Sequence, residues 1–187
     1  MSATRTVLLI EQNLDGTTGG SYRSMLYLVR RMDRSRFRPL TAFFREHDLI
    51  EDYRAASART LLLPHPTAVN WVGRWRDPGT GRPRRFAVAV RWMQRTVNFL
   101  HISVRQFFRG IALLTREHVD ILHLNNGVTV GNEFLLAAKL LGRRCVIHQR
   151  GILPIPRWNA RIGRLADHVL CVSDAARDNL IECGIPA

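Results

Sequence analysis

The stretch LLIEQNLDGTTGGSYRSMLYLVRR, residues 8–31, passes from an apolar run through a glycine-rich turn into an amphipathic segment. The apolar run TVLLI is short and continuous, which is typical of a strand covered on both faces. After the turn, apolar side chains recur at helical spacing, and Ser21 stands where it could cap a helix. These apolar residues are Tyr22, Met25, Leu26, Val29 and Met32. The stretch therefore predicts a strand, a turn and a helix, the repeating unit of parallel α/β sheets.

The same alternation continues along the chain. Further strands are predicted at FRPLTAFF (37–44), RTLLLP (59–64), DILHLNN (120–126), CVIHQR (145–150) and DHVLCVS (167–173). Helices are predicted at HDLIEDYRAA (47–56), from Phe86 to about His118, at GNEFLLAAKLLG (131–142) and at DAARDNLIECG (174–184), the last capped by Ser173. We therefore expect a single Rossmann-like domain over residues 1–187, a parallel sheet with helices on both faces.

In such sheets, ligands bind beyond the carboxyl ends of the strands. The residues that follow the predicted strands are therefore the candidate site: Asn13 to Ser21, Asn125 to Gly127, His148 to Gly151, and Ser173.

Composition narrows the class of protein. With 187 residues, 46% hydrophobic and 23% charged, the chain is expected to be globular. Its three cysteines, Cys145, Cys171 and Cys183, form no CxxC, which favours reduced core thiols in a cytoplasmic protein over a disulfide framework or a zinc site. The histidines show no metal-binding spacing, so no metal site is expected. Neither a signal peptide nor a membrane-spanning run is predicted.

The positive charge is concentrated in one segment. The formal net charge is +13, and residues 71–109 carry nine arginines against one acid, Asp77, which is +8 of that total. Because Lys139 is the only lysine among 28 basic residues, part of the arginine excess reflects residue usage, and we do not take it as a signal for nucleic acid. The segment predicts a face for anionic partners.

The glycine-rich turn allows several interpretations. No Gly-Lys-Ser/Thr follows Gly16, which excludes a Walker A loop, and DGTTGGS does not align with the GxGxxG of dinucleotide sites. The turn could simply connect a strand to a helix. Alternatively, Gly19 and Gly20 bring the backbone close to an anion, with helix N–H groups from Ser21 onward pointing at it. Arg23 could reach the same anion or face water.

Four blocks of the sequence resemble the N-terminal domain of the family-4 glycosyltransferases, which have the GT-B fold. They are TTGGSYRSMLYLVRRM, VDILHLNNG, VIHQRGILP and ADHVLCVSDAARDNLIECGIP. The blocks occur in the family's order and leave residues 65–118 as an unmatched insert rich in arginine and aromatic residues. In the third block, Arg150 stands where many members have the histidine that precedes the glycine.

The resemblance implies transfer of a sugar from a nucleotide-sugar to an acceptor, in a cleft between two Rossmann-like domains. In the family, the second domain binds the nucleotide and carries an E-x7-E motif, which residues 1–187 do not contain. We therefore expect the donor-binding domain to be absent from this sequence and the chain alone to be inactive. The donor would be a substrate, with no cofactor, and the acceptor a polysaccharide or a lipid-linked glycan.

The resemblance and the strand ends together predict the site residues. Gly19, Gly20 and Arg23 would face the donor diphosphate or the acceptor. Arg150, beside Gly151, suits a phosphate or carboxylate because its planar fork can bind two oxygens. Asn125 and Asn126 could bond acceptor hydroxyls or form a turn, and His148 could line the acceptor site or be a structural histidine.

The helix from Phe86 onward predicts a second surface. An apolar stripe recurs by four and three: Phe86, Val90, Met93, Val97, Leu100, Val104, Phe107, Ile111 and Leu114. Trp92, Phe99 and Ile102 lie off the stripe, on the side of the arginines, and Trp71 and Trp75 precede the helix. The arginines are Arg91, Arg95, Arg105 and Arg109. This face would dock on an anionic membrane, at the inner face of the plasma membrane, or pack on the preceding loop or a second domain.

Two other functions remain open. The chain could be a non-catalytic module that binds membranes or RNA through its arginine face. It could also be an oxidoreductase with an aberrant nucleotide fingerprint.

Overall fold

The computed structural model describes residues 4–14, 17–71 and 84–186, and of residues 84–87 it describes the backbone alone. The predicted features at Arg74, Trp75, Arg76, Asp77 and Arg82, and the side chain of Phe86, lie outside the described residues.

Six parallel strands form one sheet in the order β3-β2-β1-β4-β5-β6. Their bounds are β1 Arg5–Ile10, β2 Phe37–Phe43, β3 Arg59–Leu62, β4 Ile121–Leu124, β5 Arg144–Gln149 and β6 His168–Cys171. The sheet order reverses between β1 and β4, which is where doubly wound folds open a crevice for ligands. The predicted Rossmann-like α/β fold is confirmed.

Seven α-helices connect and follow the strands in the described ranges. They are α1 Gly20–Arg31, α2 Ile50–Ala56, α3 Arg84–Asn98, α4 Arg105–Arg116, α5 Asn132–Leu140, α6 Arg157–Gly163 and α7 Asp174–Glu182. Helix α6 was not predicted from the sequence. As predicted, Ser173 caps α7, since its hydroxyl accepts a hydrogen bond from the backbone N–H of Ala176 at 3.2 Å.

Each face of the sheet carries its own core. Helices α1 and α2 cover one face, where Tyr22, Met25 and Tyr53 are buried against Leu9 and Phe43. The opposite face lies beneath α4, α5, α6 and α7 and holds the larger cluster. Its largest fully buried side chains are Leu8, Ile10, Leu40, Leu114, Leu122, Leu124 and Phe134. The two layers hold the strand ends in fixed relative positions, which is what a site at the sheet edge requires.

The long predicted helix is interrupted by a π-helical segment, Phe99–Val104, between α3 and α4. A π turn holds more residues than an α turn, so it shifts the phase of every side chain that follows. As a result, Gln106, Gly110, Leu113 and Leu114 are the buried residues of α4.

The predicted apolar stripe is therefore only partly right. Phe107 and Ile111 are partly buried against the core, but Met93 and Leu100 are 53% and 57% exposed. Of the stripe residues before the π segment, Val90 and Val97 are partly buried and Met93 is exposed. Within the described ranges, no helix is long and apolar enough to cross a membrane.

Candidate functional site

A group of polar side chains lies at the carboxyl ends of β1, β4 and β5. We call Glu11, His123, Asn125, His148 and Arg150 the polar cluster. Glu11 directly follows β1, Asn125 follows β4, and Arg150 follows β5, while the two histidines belong to β4 and β5 themselves. Glu11 and Asn125 are fully buried, so the cluster forms part of the protein interior at its deep end.

Asn125 is the centre of the polar cluster. Its amide nitrogen donates to Glu11 Oε2 at 2.6 Å and to the backbone oxygen of Ser21 at 3.2 Å. Its side-chain oxygen accepts from Arg150 Nη2 at 2.5 Å. Both polar atoms of Asn125 are thus engaged inside the chain, in bonds that include two ionised partners. The contact with Ser21 connects the cluster to the first turn of α1.

Arg150 lies half-buried over Asn125. Its Nε donates to the backbone oxygen of Asn125 at 2.7 Å, and its Nη2 also donates to His148 Nδ1 at 3.1 Å. The Nη1 group makes no hydrogen bond with the described residues, so one edge of the guanidinium remains available. Burial lowers the pKa of Arg150, and the Glu11 carboxylate acts in the opposite direction. The guanidinium is held in place with part of its donor capacity unused.

The two histidines are neutral at pH 7. Burial, together with the charge of Arg150, lowers the pKa of His148 to about 4. Burial also lowers the pKa of His123 to about 4, and His148 and Arg150 add to the shift. Because a guanidinium can only donate, Nδ1 of His148 accepts, and Nε2 carries the ring proton. The rings of His123 and His148 stack with centroids 5.9 Å apart.

The glycine-rich turn leads into α1 differently from the prediction. The N-cap residue is Gly19, and Ser21 is the second helical residue, so Ser21 does not cap the helix. Gly19 has no side chain with which to cap, and no acidic residue lies in the first turn. A helix N-terminus of this kind presents N–H groups and a dipole that favour an anion.

Nothing in the described parts of the chain demands glycine at positions 19 and 20. A Cβ built on either residue would meet no described atom within 4 Å, and neither residue has a positive φ. No described residue therefore occupies the space directly in front of these two positions. Arg23 is exposed on the same turn, and its guanidinium makes no hydrogen bond or ion pair with a described residue.

Asn126 and Gly151 have local roles. Asn126 Oδ1 accepts from the backbone N–H of Gln12 at 3.1 Å and so holds the segment after β1. The backbone oxygen of Gly151 accepts from Gln149 Nε2 at 2.7 Å, while Gln149 Oε1 accepts from the N–H of Val128 at 3.1 Å. These bonds shape the loops around the polar cluster.

A cleft of about 460 Å³ opens on the opposite face of the same sheet edge. We call it the π-helix cleft, because Phe99, Ile102 and Ser103 of the π segment line one side of it. Gln12, the residue after Glu11, also lines the cleft, as does Trp158 of α6. Phe99 and Ile102, which the sequence analysis assigned to a membrane face, therefore border a cleft.

The remaining residues of that predicted face lie on or near the surface. Arg91, Arg95 and Arg105 are exposed, and Trp92 is 64% exposed with the Arg95 guanidinium 5.9 Å from its ring centroid. Arg109 donates to the backbone oxygen of Pro64 and, at 3.0 Å, to Gln106 Oε1.

The loop before α3 lies against this helix. The backbone N–H of Trp71 donates to Gln94 Oε1 at 2.8 Å, and that of Val69 donates to Asn98 Oδ1 at 2.8 Å. Part of the alternative prediction, packing of the helix on its preceding loop, is therefore visible, although Trp92 itself remains exposed.

Three site residues were missed by the sequence analysis: His123, inside β4, and Glu11 and Gln12, which follow β1. The predicted candidate segment began at Asn13, whereas β1 ends at Ile10. The strand-end rule, applied from the last apolar residue of TVLLI, would have included Glu11 and Gln12. In the described ranges, no group of three or more histidine, cysteine, aspartate or glutamate side chains is placed to hold a metal ion.

Solved structures with the same fold include enzymes that act on nucleotide-sugars. A putative UDP-N-acetylglucosamine 2-epimerase from Listeria monocytogenes aligns over 98% of this chain and 43% of its own, with 14% identity and a TM-score of 0.57. The UDP-GlcNAc 2-epimerase from Neisseria meningitidis, solved with UDP-GlcNAc, aligns over 97% of this chain and 43% of its own, with 10% identity and a TM-score of 0.55. At these identities the likeness shows the fold alone, and the chain spans less than half the length of these structures.

Sequence comparison identifies the family. No curated protein sequence matches the chain significantly. The profile of Glycosyltransferase Family 4 matches residues 18–187, a range that begins just before the glycine pair and includes β2 to β6, with the insert. It contains every member of the polar cluster except Glu11. The chain therefore belongs to Glycosyltransferase Family 4.

Proposed function

We propose that this chain supplies the acceptor-binding side of an enzyme that transfers a sugar from a nucleotide-sugar to a polysaccharide or lipid-linked acceptor in cell-surface glycan synthesis. The family supports glycosyl transfer, and nucleotide-sugar enzymes share the fold. The observation that carries the proposal is the half-engaged guanidinium of Arg150, connected through Asn125 to the first turn of α1.

The chemistry follows from these two features. Sugar transfer from a nucleotide-sugar leaves a nucleoside diphosphate, on which negative charge grows as the glycosidic bond breaks. A preorganised guanidinium and a helix N-terminus stabilise such charge at little reorganisation cost. In this proposal, Gly19 and Gly20 allow the diphosphate, or an anionic acceptor, to approach the backbone. A donor-binding domain outside residues 1–187 would provide the other side of the cleft.

Two substitutions in the full-length enzyme test the proposal. In Gly20→Val, the new side chain would occupy the space in front of the helix, so we expect kcat to fall at least tenfold while the fold is retained. Arg150→Met should lower kcat similarly, because it removes the available Nη1 donor. Arg161→Met, at an exposed arginine of α6, is the matched control. A normal kcat in both site variants would refute the assignment.

We also propose that the enzyme is cytoplasmic and docks on the inner face of the plasma membrane through Trp92 and its neighbouring arginines. Sedimentation with vesicles containing anionic lipid should be weakened by salt and reduced in Trp92→Ala. Tyr27→Ala is the control, since Tyr27 is equally exposed on α1. Equal binding to neutral vesicles, or no binding to either kind, would refute membrane docking.

A further inference from the structure

The π-helix cleft is a ligand-sized space that the polar cluster does not use. Its volume of about 460 Å³ lies within the range of small-molecule sites, about 300–1,000 Å³. Apolar and aromatic side chains from four parts of the chain form most of its wall: Phe44, Phe99, Ile102, Phe134, Trp158 and Ile162. Such a wall favours an apolar ligand surface over a ligand covered with hydroxyl groups.

Within the described ranges, one polar atom of this wall has no hydrogen-bond partner. Gln12 is only 7% exposed, and its Oε1 makes no hydrogen bond with any described residue. A buried acceptor in that condition is costly unless a ligand donates to it. Gln12 adjoins Glu11, so this acceptor lies where the cleft approaches the polar cluster. A hydroxyl group of a ligand would satisfy it there.

The charge around the cleft indicates which charged group the ligand carries besides its apolar part. From Val88 to Arg116, the helix that forms one side of the cleft carries five arginines and no acidic residue. Arg109 is bonded to Gln106, itself a lining residue, so one guanidinium lies beside the cleft. The opposite wall of the cleft carries one carboxylate, Glu133, so an anionic group on the ligand would be complementary to the charge on the helix side of the cleft.

We infer that the π-helix cleft binds the apolar chain of an anionic amphiphile, with a hydroxyl group of that molecule donating to Gln12. This inference rests on the proposed function, since it specifies which of the proposed acceptor classes the site takes: the lipid-linked one. The π segment is central to it, because its wider turn directs Phe99 and Ile102 toward the cleft. The occupant is a single molecule seated in the cleft, which is distinct from the docking of Trp92 on a membrane surface.

Calorimetry with dodecyl phosphate at about pH 5, where the phosphate keeps one P–OH group that can donate to Gln12, tests the inference on the 187-residue chain, below the micellar concentration and without vesicles. We expect saturable 1:1 binding that Ile102→Trp weakens at least tenfold by filling the cleft. Val88→Trp, at an exposed site on the same helix, should bind as the wild type does. Phe99→Ala is a milder second variant, expected to weaken binding severalfold. It replaces Ile102→Trp if circular dichroism shows that Ile102→Trp is not folded.

Inorganic phosphate and maltoheptaose separate the contributions of head group and glycan. We expect neither to compete with dodecyl phosphate for the cleft. Dodecyl phosphate binding that is absent, or unchanged in the folded cleft variants, would overturn the inference, as would displacement by maltoheptaose. The calorimetry does not depend on sugar transfer. If the chain binds dodecyl phosphate in the cleft but the full-length enzyme transfers no sugar, only the proposed function is refuted. Transfer to a free oligosaccharide without binding in the cleft would refute only this inference.

Discussion

Replacing Asn125 by alanine tests whether this residue holds the polar cluster together or contacts the acceptor. In the structure its side chain is fully buried and bonds Glu11, Arg150 and the backbone of Ser21. Truncation would leave the buried Glu11 carboxylate without its 2.6 Å donor and would release one edge of the Arg150 guanidinium. A side chain that only contacts acceptor hydroxyls could be removed with little effect on stability.

The size of the effect follows from the charge of the partners. Hydrogen bonds to charged groups contribute about 1.5–3 kcal/mol each, so losing the bonds to Glu11 and Arg150 should lower the free energy of unfolding by roughly 3–5 kcal/mol. Asn126→Ala is the matched control, because Asn126 Oδ1 accepts one bond from the backbone of Gln12. Its loss should cost about 1 kcal/mol.

Urea unfolding followed by circular dichroism measures both variants against the wild type at pH 7. The midpoint should fall much further for Asn125→Ala than for Asn126→Ala, with a similar dependence on urea concentration. Equal losses of about 1 kcal/mol or less in the two variants would refute the role assigned to Asn125. Asn126 would then contribute as much to the free energy of unfolding as Asn125 does.

Two further predictions concern stability. Because burial lowers the pKa of His123 to about 4, protonation favours the unfolded chain, and the associated stability is present above about pH 6.5 and lost as the pH falls toward 4. Between pH 7 and 4.5, the free energy of unfolding should therefore fall by about 2 kcal/mol less in His123→Leu than in the wild type. The same pH dependence in both proteins would contradict this prediction. A Cβ on Gly110 would lie 3.1 Å from that of Ala137 in α5, so Gly110→Val should destabilise by about 1–3 kcal/mol. The exposed Ala112→Val should cost only a few tenths, and equal urea midpoints for the two valine variants would show that α4 and α5 are not closely packed there.

The sheet could be predicted from the sequence because each strand is a short apolar run bounded by turn residues. TVLLI and FRPLTAFF became β1 and β2 within one or two residues. The parallel order followed from the helices between the strands. Helix α6 was missed because it has only seven residues and follows Pro154 and Pro156, a sequence that indicates a loop.

The candidate site was predictable as a location but not as a set of contacts. Arg150 and Asn125 were both predicted from strand ends, and the structure brings them together. That Asn125 is turned inward could not be predicted, because it depends on Glu11, which lies 114 residues earlier in the chain. The π segment could not be predicted either, since FLHISV fits a regular α-helix equally well. Tertiary packing decides which side chains of the following helix face the core.

The place of β1 between β2 and β4 sets an order of events on the ribosome. β2 can pair with β1 once residue 43 has emerged from the ribosome, whereas β4 ends only at Leu124. Until then the nascent chain keeps one edge of β1 open and the Glu11 carboxylate in water. Such long-range pairing folds slowly, and an open parallel edge invites association with other chains. A ribosome that stalls across the insert would therefore prolong the interval in which the protein is most prone to aggregate.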